Sequence, residues 1–361
     1  MIARDDIIIR KAILHILDTM HGQCILSNTL LDPGPDLYEF IRNHIYKIVV
    51  SDDTKDCEFN PETSPIYPIL TAWDESDEES FIATSQAIAE KLYTSMGEGL
   101  DIPAADLLFV TFQAEGVIYL ALLKMNYKES YTHEISVSDI PAAGFFSDTD
   151  IESDTDVSSG ATSKEEAATT EIRADIVKSR ALLPASGTRI PEAIIINLDD
   201  MHIKLLEKRY EVNGEKVFYL SENFLVCHTS LPPKRKLNIL TKVINTISNK
   251  YDGADLKTKM DTKSALQKEY VDRQSFDVEE IGNRLFGNSP EKKSEFDEKM
   301  EQYDLQFDNF TVTNESTVKK LEKQIMVTDS GIEISIPMET YNKLANLEVQ
   351  TDVTGETTII I

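Results

Sequence analysis

The sequence predicts an α+β fold: an N-terminal mixed sheet with packed helices, a helical middle region, and a small β-containing C-terminal part. Three observations predict it. First, Leu107–Gln113 and Val117–Leu123 are two runs of aliphatic, aromatic and β-branched residues around Ala114-Glu115-Gly116. That is a hairpin signal, with Gly116 taking the positive φ that closes a three- to five-residue loop. Both runs are apolar on both faces, so the hairpin must be covered on both sides and belongs at the centre of a sheet. A single buried helix competes with this reading, but the glycine break and the Phe, Val, Ile and Tyr content favour strands. Second, apolar residues recur at helical spacing over 37–48 and 78–96, supplying covers for such a sheet. Third, helical periodicity dominates from Leu237 onward, and strands return only near the C-terminus.

In chain order, Lys11–Asp18 and Gln23–Ser27 read as two short strands joined through Gly22. His15 lies among Ile and Leu with no second ligand at metal spacing, so it is expected to be a packed core histidine. Asp32-Pro33-Gly34-Pro35-Asp36 is a break. A helix follows it, with Leu37, Phe40, Ile41, Ile45 and Ile48 on one face and Asp36 as the N-cap. Residues 51–80 are acidic and contain prolines, and are expected to form a surface excursion. A second helix runs from Glu78 to Met96 with Phe81, Ile88, Leu92 and Met96 inward, ended by Gly97 and Gly99. These elements make an N-terminal α+β domain over 1–136.

Residues 137–189 change character. Ser147-Asp148-Thr149-Asp150 is repeated as Ser153-Asp154-Thr155-Asp156, and little nearby can be buried, so the stretch reads as an acidic, disordered insertion. A calcium loop counted from Asp150 fails: its turn position holds Thr155 instead of Gly, and its closing acid position holds Ala161. Over 190–228 strands return to the N-terminal sheet, with Ala193–Leu198 one of them. His202–Tyr210 and Lys216–Leu220 flank a turn at Asn213-Gly214. A helical basic region spans 229–304. It opens with Lys234-Arg235-Lys236 and a helix whose apolar face is Leu237, Leu240, Ile244, Ile247 and Tyr251. Further helices are expected at 254–272 and at Val278–Phe286, where Asp277 and Glu280 resemble a capping box. Another starts at Ser289-Pro290, with Ser as cap and Pro at the first helical position, and carries Phe296, Met300 and Tyr303. The C-terminal α+β part, 305–361, holds Phe310–Thr313, a helix over Ser316–Gln324, a strand at Gly331–Ile336 and a short helix after Pro337. Strands at Val349–Val353 and Thr357–Ile361 then turn at Thr354-Gly355.

The chain of 361 residues is long enough for two or three domains, and its formal net charge is −27. Such a surface repels phosphate, which argues against indiscriminate nucleic-acid binding but leaves room for a local basic patch. Cys24, Cys57 and Cys227 are odd in number and widely spaced, which suits a reducing compartment without a disulfide framework. The opening Met1-Ile2-Ala3-Arg4-Asp5-Asp6 lacks a signal peptide's basic end and apolar core, and no apolar run reaches the roughly 18 residues of a membrane span. A cytoplasmic protein with no membrane partner is expected.

The local charge reversal lies at 231–263. Lys234, Arg235, Lys236, Lys242, Lys250, Lys257, Lys259 and Lys263 stand there against Asp252, Asp255 and Asp261. The functional reading is a basic helical surface meeting the phosphates of double-stranded DNA, salt-sensitive and largely blind to sequence. Lys234, Arg235, Lys236 and Lys242 are the candidate DNA-binding residues, with Lys250, Lys257 and Lys259 secondary. A solvated helix face rich in lysine is the competing reading, and on composition alone the commoner one. No aromatic residues interleave with the bases, and no zinc-finger or RNA-platform motif is present. Catalytic signals are missing too: no Gly-rich phosphate loop, no Gly-x-Ser-x-Gly elbow, no Cys-x-x-Cys and no His-Glu-x-x-His. Cys227 and His228 are adjacent on a strand and so point to opposite faces. No catalytic, metal or cofactor-binding residue is nominated, no cofactor is expected, and a non-enzymatic protein is the expectation.

Several stretches together resemble the bacterial nucleoid-associated protein family, the type isolated with the folded chromosome. They are Ala12-Ile-Leu-His-Ile-Leu17, Ile25-Leu-Ser-Asn-Thr-Leu-Leu-Asp32, Leu107-Leu-Phe-Val-Thr-Phe112 with Ile118-Tyr-Leu-Ala-Leu-Leu123, and Asn223-Phe-Leu-Val-Cys227. Leu285-Phe-Gly287 with Glu295-Phe296, and Lys319-Lys-Leu-Glu-Lys323 before Gly331-Ile-Glu-Ile-Ser335, complete the set in the family's order. All are core-like, so the resemblance speaks to fold far more than to activity. It implies a nucleoid-located, non-enzymatic protein that contacts DNA. The acidic insertion departs from the shorter members, and the family offers no catalytic residue to carry over. Two other readings stay open. One is a protein-interaction or assembly factor that reaches the nucleoid through a partner protein, favoured by the net charge. The other is a nuclease or other hydrolase, which would need three acids converging on a metal-sized site. The sequence sets no oligomeric state and is compatible with a homo-oligomer.

Overall fold

The computed structural model describes residues 2–97, 102–140, 169–212, 215–253, 256–327, 331–343, 348–351 and 357–360. The chain forms two compact units, one of Met1–Asn126 with Ala185–Ile361 and one of Tyr127–Pro184.

The first unit opens with strands β1 (Ile8–Asp18) and β2 (Gln23–Ile25), joined through Gly22 at φ +66. Helix α1 (Pro35–Val49) follows. Its first turn uses Pro35, whose missing N–H would have no partner there anyway. The cap position is therefore Gly34, not Asp36, which lies inside the first turn. Strand β3 (Lys55–Phe59) and helix α2 (Tyr67–Thr71) then occupy the stretch expected to be a surface excursion. The alternation in Lys-Asp-Cys-Glu-Phe explains the difference: Cys57 and Phe59 are buried while Glu58 faces out. Helix α3 (Glu78–Gly97) precedes the central hairpin, β4 (Ala105–Ala114) and β5 (Val117–Asn126). Ala114 pairs with Val117, so the turn is only Glu115-Gly116, both at positive φ (50° and 85°). This is the tighter two-residue geometry, whose twist matches that of the flanking strands.

In the second unit, β6 (Lys128–Ile140) and β7 (Thr169–Leu182) pair as a two-stranded ribbon. Strand β7 lies in the stretch expected to be irregular. Residues 141–168, which hold the repeated Ser-Asp-Thr-Asp and the rejected calcium loop, are outside the described residues. Tyr131, His133 and Ile135 pair with Lys178, Ile176 and Ala174 and share one face. Tyr131, Ile135 and Ile176 are each more than half exposed.

Back in the first unit come β8 (Glu192–Asn197), β9 (Ile203–Leu206), β10 (Tyr210–Val212), β11 (Glu215–Val217) and β12 (Cys227–Thr229). Strand β11 stops before Leu220. Residues Leu220–Leu225 instead form a π-helical turn, because the Ser221 amide and hydroxyl donate to the buried Glu207 carboxylate (3.0 and 2.8 Å). The strand order is β12-β3-β9-β8-β5-β4-β1-β2, and every pairing is antiparallel, not mixed. The β4–β5 hairpin thus sits inside an eight-stranded sheet. Leu107, Phe109, Leu120 and Leu122 pack on one face with Phe81, Ile88 and Leu92 of α3. Leu108, Val110, Phe112 and Leu123 pack on the other with Ile41, Ile45 and Ile48 of α1. Each such side chain contributes about 1.5–3 kcal/mol on burial, which accounts for the two-sided apolar pattern.

Two polar features are sealed into this core. His15 is fully buried: its Nε2–H donates to Ser85 Oγ (3.0 Å), which itself donates to the Ile82 carbonyl, while its Nδ1 accepts from the Ser27 amide (3.1 Å). Those partners fix the neutral tautomer, and burial pushes its pKa down to about 4. Lys124 and Glu192, paired across β5 and β8, form a buried ion pair (2.8 Å); Lys124 also donates to Asn126 Oδ1 (2.6 Å), and the Tyr210 hydroxyl donates to Glu192 (2.8 Å).

The helical part comprises α4 (Pro233–Asp252), α5 (Leu256–Arg273), the short strand β13 (Phe276–Asp277), α6 (Val278–Phe286) and α7 (Pro290–Glu301). Asp277 caps α6 through the Glu280 amide (3.0 Å). Gly282 lets α6 approach α7 closely, since a Cβ there would overlap the Phe296 ring. Strand β14 (Asn309–Phe310) pairs with β13, and α8 (Glu315–Glu322) leads into β15 (Lys323–Val327). The chain closes with β16 (Glu333–Pro337), α9 (Met338–Lys343), β17 (Glu348–Thr351) and β18 (Thr357–Ile360). The expected turn at Thr354-Gly355 lies outside the described residues.

Candidate nucleic-acid interface

Helix α4 forms because Pro233 occupies its first position and apolar residues then recur at three- and four-residue spacing. Leu237, Leu240, Val243, Ile244 and Ile247 are buried in a core shared with Leu266, Phe276, Ile281, Phe296 and Met300. That leaves the opposite stripe to solvent. The start of α4 is anchored by the Lys234 amide donating to the Asp52 carbonyl (3.1 Å). The buried Asp52 carboxylate accepts from the Thr313 amide (2.7 Å), the Thr313 hydroxyl (3.2 Å) and the Asn314 amide (3.0 Å), immediately before α8. One residue of the 51–53 loop therefore sets α4 and α8 side by side.

The seven candidate residues meet different surroundings. Arg235 and Lys242 are exposed, seven residues apart on α4, which places them on one side about 10 Å apart along the axis. Lys234 reaches Asp53 (3.1 Å), which also accepts from Arg189 (2.6 Å). Burial pushes the Asp53 carboxyl up, but Arg189 and Lys234 together hold it below the usual carboxylate range. Lys236 is only 11% exposed and pairs with Asp308 (2.8 Å), near the Phe310 ring. Lys250 is hydrogen-bonded to Glu295 of α7 (2.7 Å), which holds its ammonium above the usual lysine range. Lys257 and Lys259 are both exposed on α5 but lie on different sides, two residues being roughly 200° of helical turn.

Lys259 does join part of α4. A cavity of about 330 Å³ lies between α4, α5 and α8. From α4 it is lined by Lys234, Leu237, Asn238, Thr241 and Asn245. Helix α5 adds Lys259, Thr262, Lys263 and Leu266. Thr317, Lys320 and Leu321 of α8, with Gln324 just beyond it, complete the wall. Four lysines and no carboxylate face it. An adjoining hollow of about 420 Å³ continues past Lys263 and Lys320 to Lys319 and Lys323. Sequence reasoning left Lys263, Lys319, Lys320 and Lys323 out of the candidate set. Lys263 was counted in the charge reversal at 231–263; the other three stand in the sequence as Lys319-Lys320-x-x-Lys323, more than fifty residues from the basic helix, and only the fold brings the two together.

Among the described residues, no group of three or more His, Cys, Asp or Glu side chains is placed to hold a metal ion. No helix in the described residues is long and apolar enough to cross a membrane.

The fold and this face define an acidic α+β protein that carries a locally cationic helical surface. Residues 13–360, nearly the whole chain, match the family model of the nucleoid-associated protein YejK, and the chain belongs to that family. No curated protein matches the chain.

Proposed function

We propose that this protein binds duplex DNA at the nucleoid through phosphate contacts, without catalysis. One observation carries the reading. In a chain at −27, the solvent side of α4 and its junction with α5 and α8 keep basic side chains that no carboxylate among the described residues neutralises. Because Lys236 and Lys250 are committed to Asp308 and Glu295, and Lys234 to Asp53, the contact falls mainly to Arg235, Lys242 and Lys259, with Lys257 to one side. Such contacts read backbone, not bases, and each phosphate neutralised adds about 0.9 to the steepness of the log–log salt dependence. Titrating a labelled random-sequence duplex with the purified chain at several salt concentrations tests it. Binding that weakens steeply with salt and is indifferent to sequence is expected; no binding at low salt refutes it.

The exposed apolar side chains of the β6–β7 ribbon, Tyr131, Ile135 and Ile176, favour a second reading, a protein-interaction factor recruited to the nucleoid by a partner. A bound protein that survives nuclease treatment, from a chain that does not itself bind DNA, would select it.

A further inference from the structure

We propose that the cavity between α4, α5 and α8 is a binding site for a phosphorylated small molecule of the nucleotide class, its phosphate held by Lys259, Lys263 and Lys320. The site shares Lys259 with the DNA face proposed above, but it is concave and adds Lys263 and Lys320, whereas Arg235 and Lys242 lie on the open side of α4.

Its walls have the make-up of a ligand site. Leu237, Leu266 and Leu321 give an apolar floor, and the volume falls at the lower end of the roughly 300–1,000 Å³ usual for small-molecule pockets. The charged side chains in the lining are lysines from three separate helices. Convergence of like charges costs free energy in the empty site unless an anion relieves it. Lys234 is already relieved by Asp53 at one end. Lys259 and Lys320 are exposed and have no carboxylate partner among the described residues, while Lys263 donates only to neutral groups, the Lys323 carbonyl (2.8 Å) and Gln324 Oε1 (3.2 Å). Burial without a counter-charge pushes the Lys263 ammonium below the usual lysine range, and a phosphate would reverse that.

A second observation says that the ligand is more than phosphate. Asn245 lines the same cavity, and its side-chain oxygen is buried without a hydrogen-bond partner. A buried acceptor left unpaired costs roughly 1–3 kcal/mol. It calls for a donor, and the anionic phosphate oxygens that would face the lysines only accept. A ribose hydroxyl or the amino group of a base does. The Thr241 and Thr262 hydroxyls already donate to the helix carbonyls of Leu237 (2.7 Å) and Thr258 (3.0 Å), so they present lone pairs to the cavity as well. Anion-binding lysines beside acceptors on an apolar floor match a mononucleotide better than a bare oxyanion.

Calorimetric titration of the full chain with AMP, GMP, CMP and UMP, each alongside inorganic phosphate, tests this. At least one mononucleotide should bind saturably and tighter than phosphate. Lys259→Ala with Lys320→Ala should weaken it by roughly tenfold or more, as expected when charge-assisted hydrogen bonds are removed. Asn245→Leu should remove the preference over phosphate. Both lysines are surface side chains, so an unchanged thermal midpoint in the double variant shows that the fold is intact. Should that variant not fold, the milder Lys320→Gln is to be read the same way. No saturable binding of any mononucleotide, equal affinity for phosphate, or binding insensitive to the lysine substitutions would overturn the proposal. So would a double variant that loses duplex DNA while the wild type takes no mononucleotide, since the lysines would then belong to the DNA face.

Discussion

Lys124 in the sheet and Lys320 on α8 carry the same charge and meet opposite surroundings. Lys124 is buried beside Glu192, with Asn126 Oδ1 accepting a second hydrogen bond from it, and burial still pulls its ammonium below the usual lysine range despite that partner. Lys320 is exposed and faces other lysines. A charge is buried here only where a counter-charge, as for Lys124, or a set of hydrogen-bond donors, as for Asp52, meets it, because desolvation is costly. The helical surface has no such requirement, and with 63 acidic against 36 basic residues most basic groups could have found a partner. Lys55 and Lys124 of the sheet and Lys250 at the α4–α7 contact did; Lys259, Lys263 and Lys320, between α4, α5 and α8, have no carboxylate partner among the described residues. Paired lysines hold this fold together, and the unpaired ones are those we propose to meet a ligand.

The largest effect should come from breaking a pair in the core. Glu192→Ala leaves Lys124 buried and uncompensated and is expected to cost about 3–5 kcal/mol in urea denaturation. A loss below about 1 kcal/mol would mean that the pair is not what holds β5 to β8. Asp52→Ala should cost less, about 1–3 kcal/mol, by orphaning the Thr313 and Asn314 amides. Its distinctive sign is local: those amides should exchange faster while the β4–β5 amides stay protected. His15 shows the core's other solution, a titratable group kept neutral. The folded chain holds it unprotonated down to about 4, whereas the unfolded chain takes up a proton near 6.5. The unfolded state therefore binds more protons in that window, and stability should fall as pH drops from about 6.5 to about 4. A His15→Asn variant should flatten this pH profile, and a wild-type stability that stays level there would contradict the assignment. The smallest effect belongs to the free lysines: Lys259→Ala and Lys320→Ala should each stay within about 0.5 kcal/mol of wild type.

The core was legible because its signal is local. Leu107–Leu123 is apolar on both faces, and only the centre of a covered sheet uses such a hairpin. The apolar stripe of α4 was equally plain. Strand β3 was missed because Lys55, Asp56 and Glu58 hide its period. The charge on Lys55 is answered by Glu207 (2.6 Å), which lies about 150 residues away in sequence. The candidate surface was half legible for the same reason. Lys234 to Lys259 announce a basic helix, yet whether each charge is free depends on Asp53, Glu295 and Asp308, which the fold brings from three other elements. The contribution of α8 depends in turn on Asp52, a residue that looked like part of an acidic excursion.

The contrast between free and paired bases is tested most directly by the salt dependence of duplex-DNA binding for the wild type, Arg235→Glu/Lys242→Glu and Lys250→Gln. Substituting the free pair should lower affinity and make the log–log salt slope shallower by about two, one for each phosphate no longer neutralised. Lys250→Gln, whose charge already faces Glu295, should leave the slope unchanged. A wild-type chain that does not bind, or a slope that responds to Lys250 and not to Arg235 and Lys242, would contradict the account.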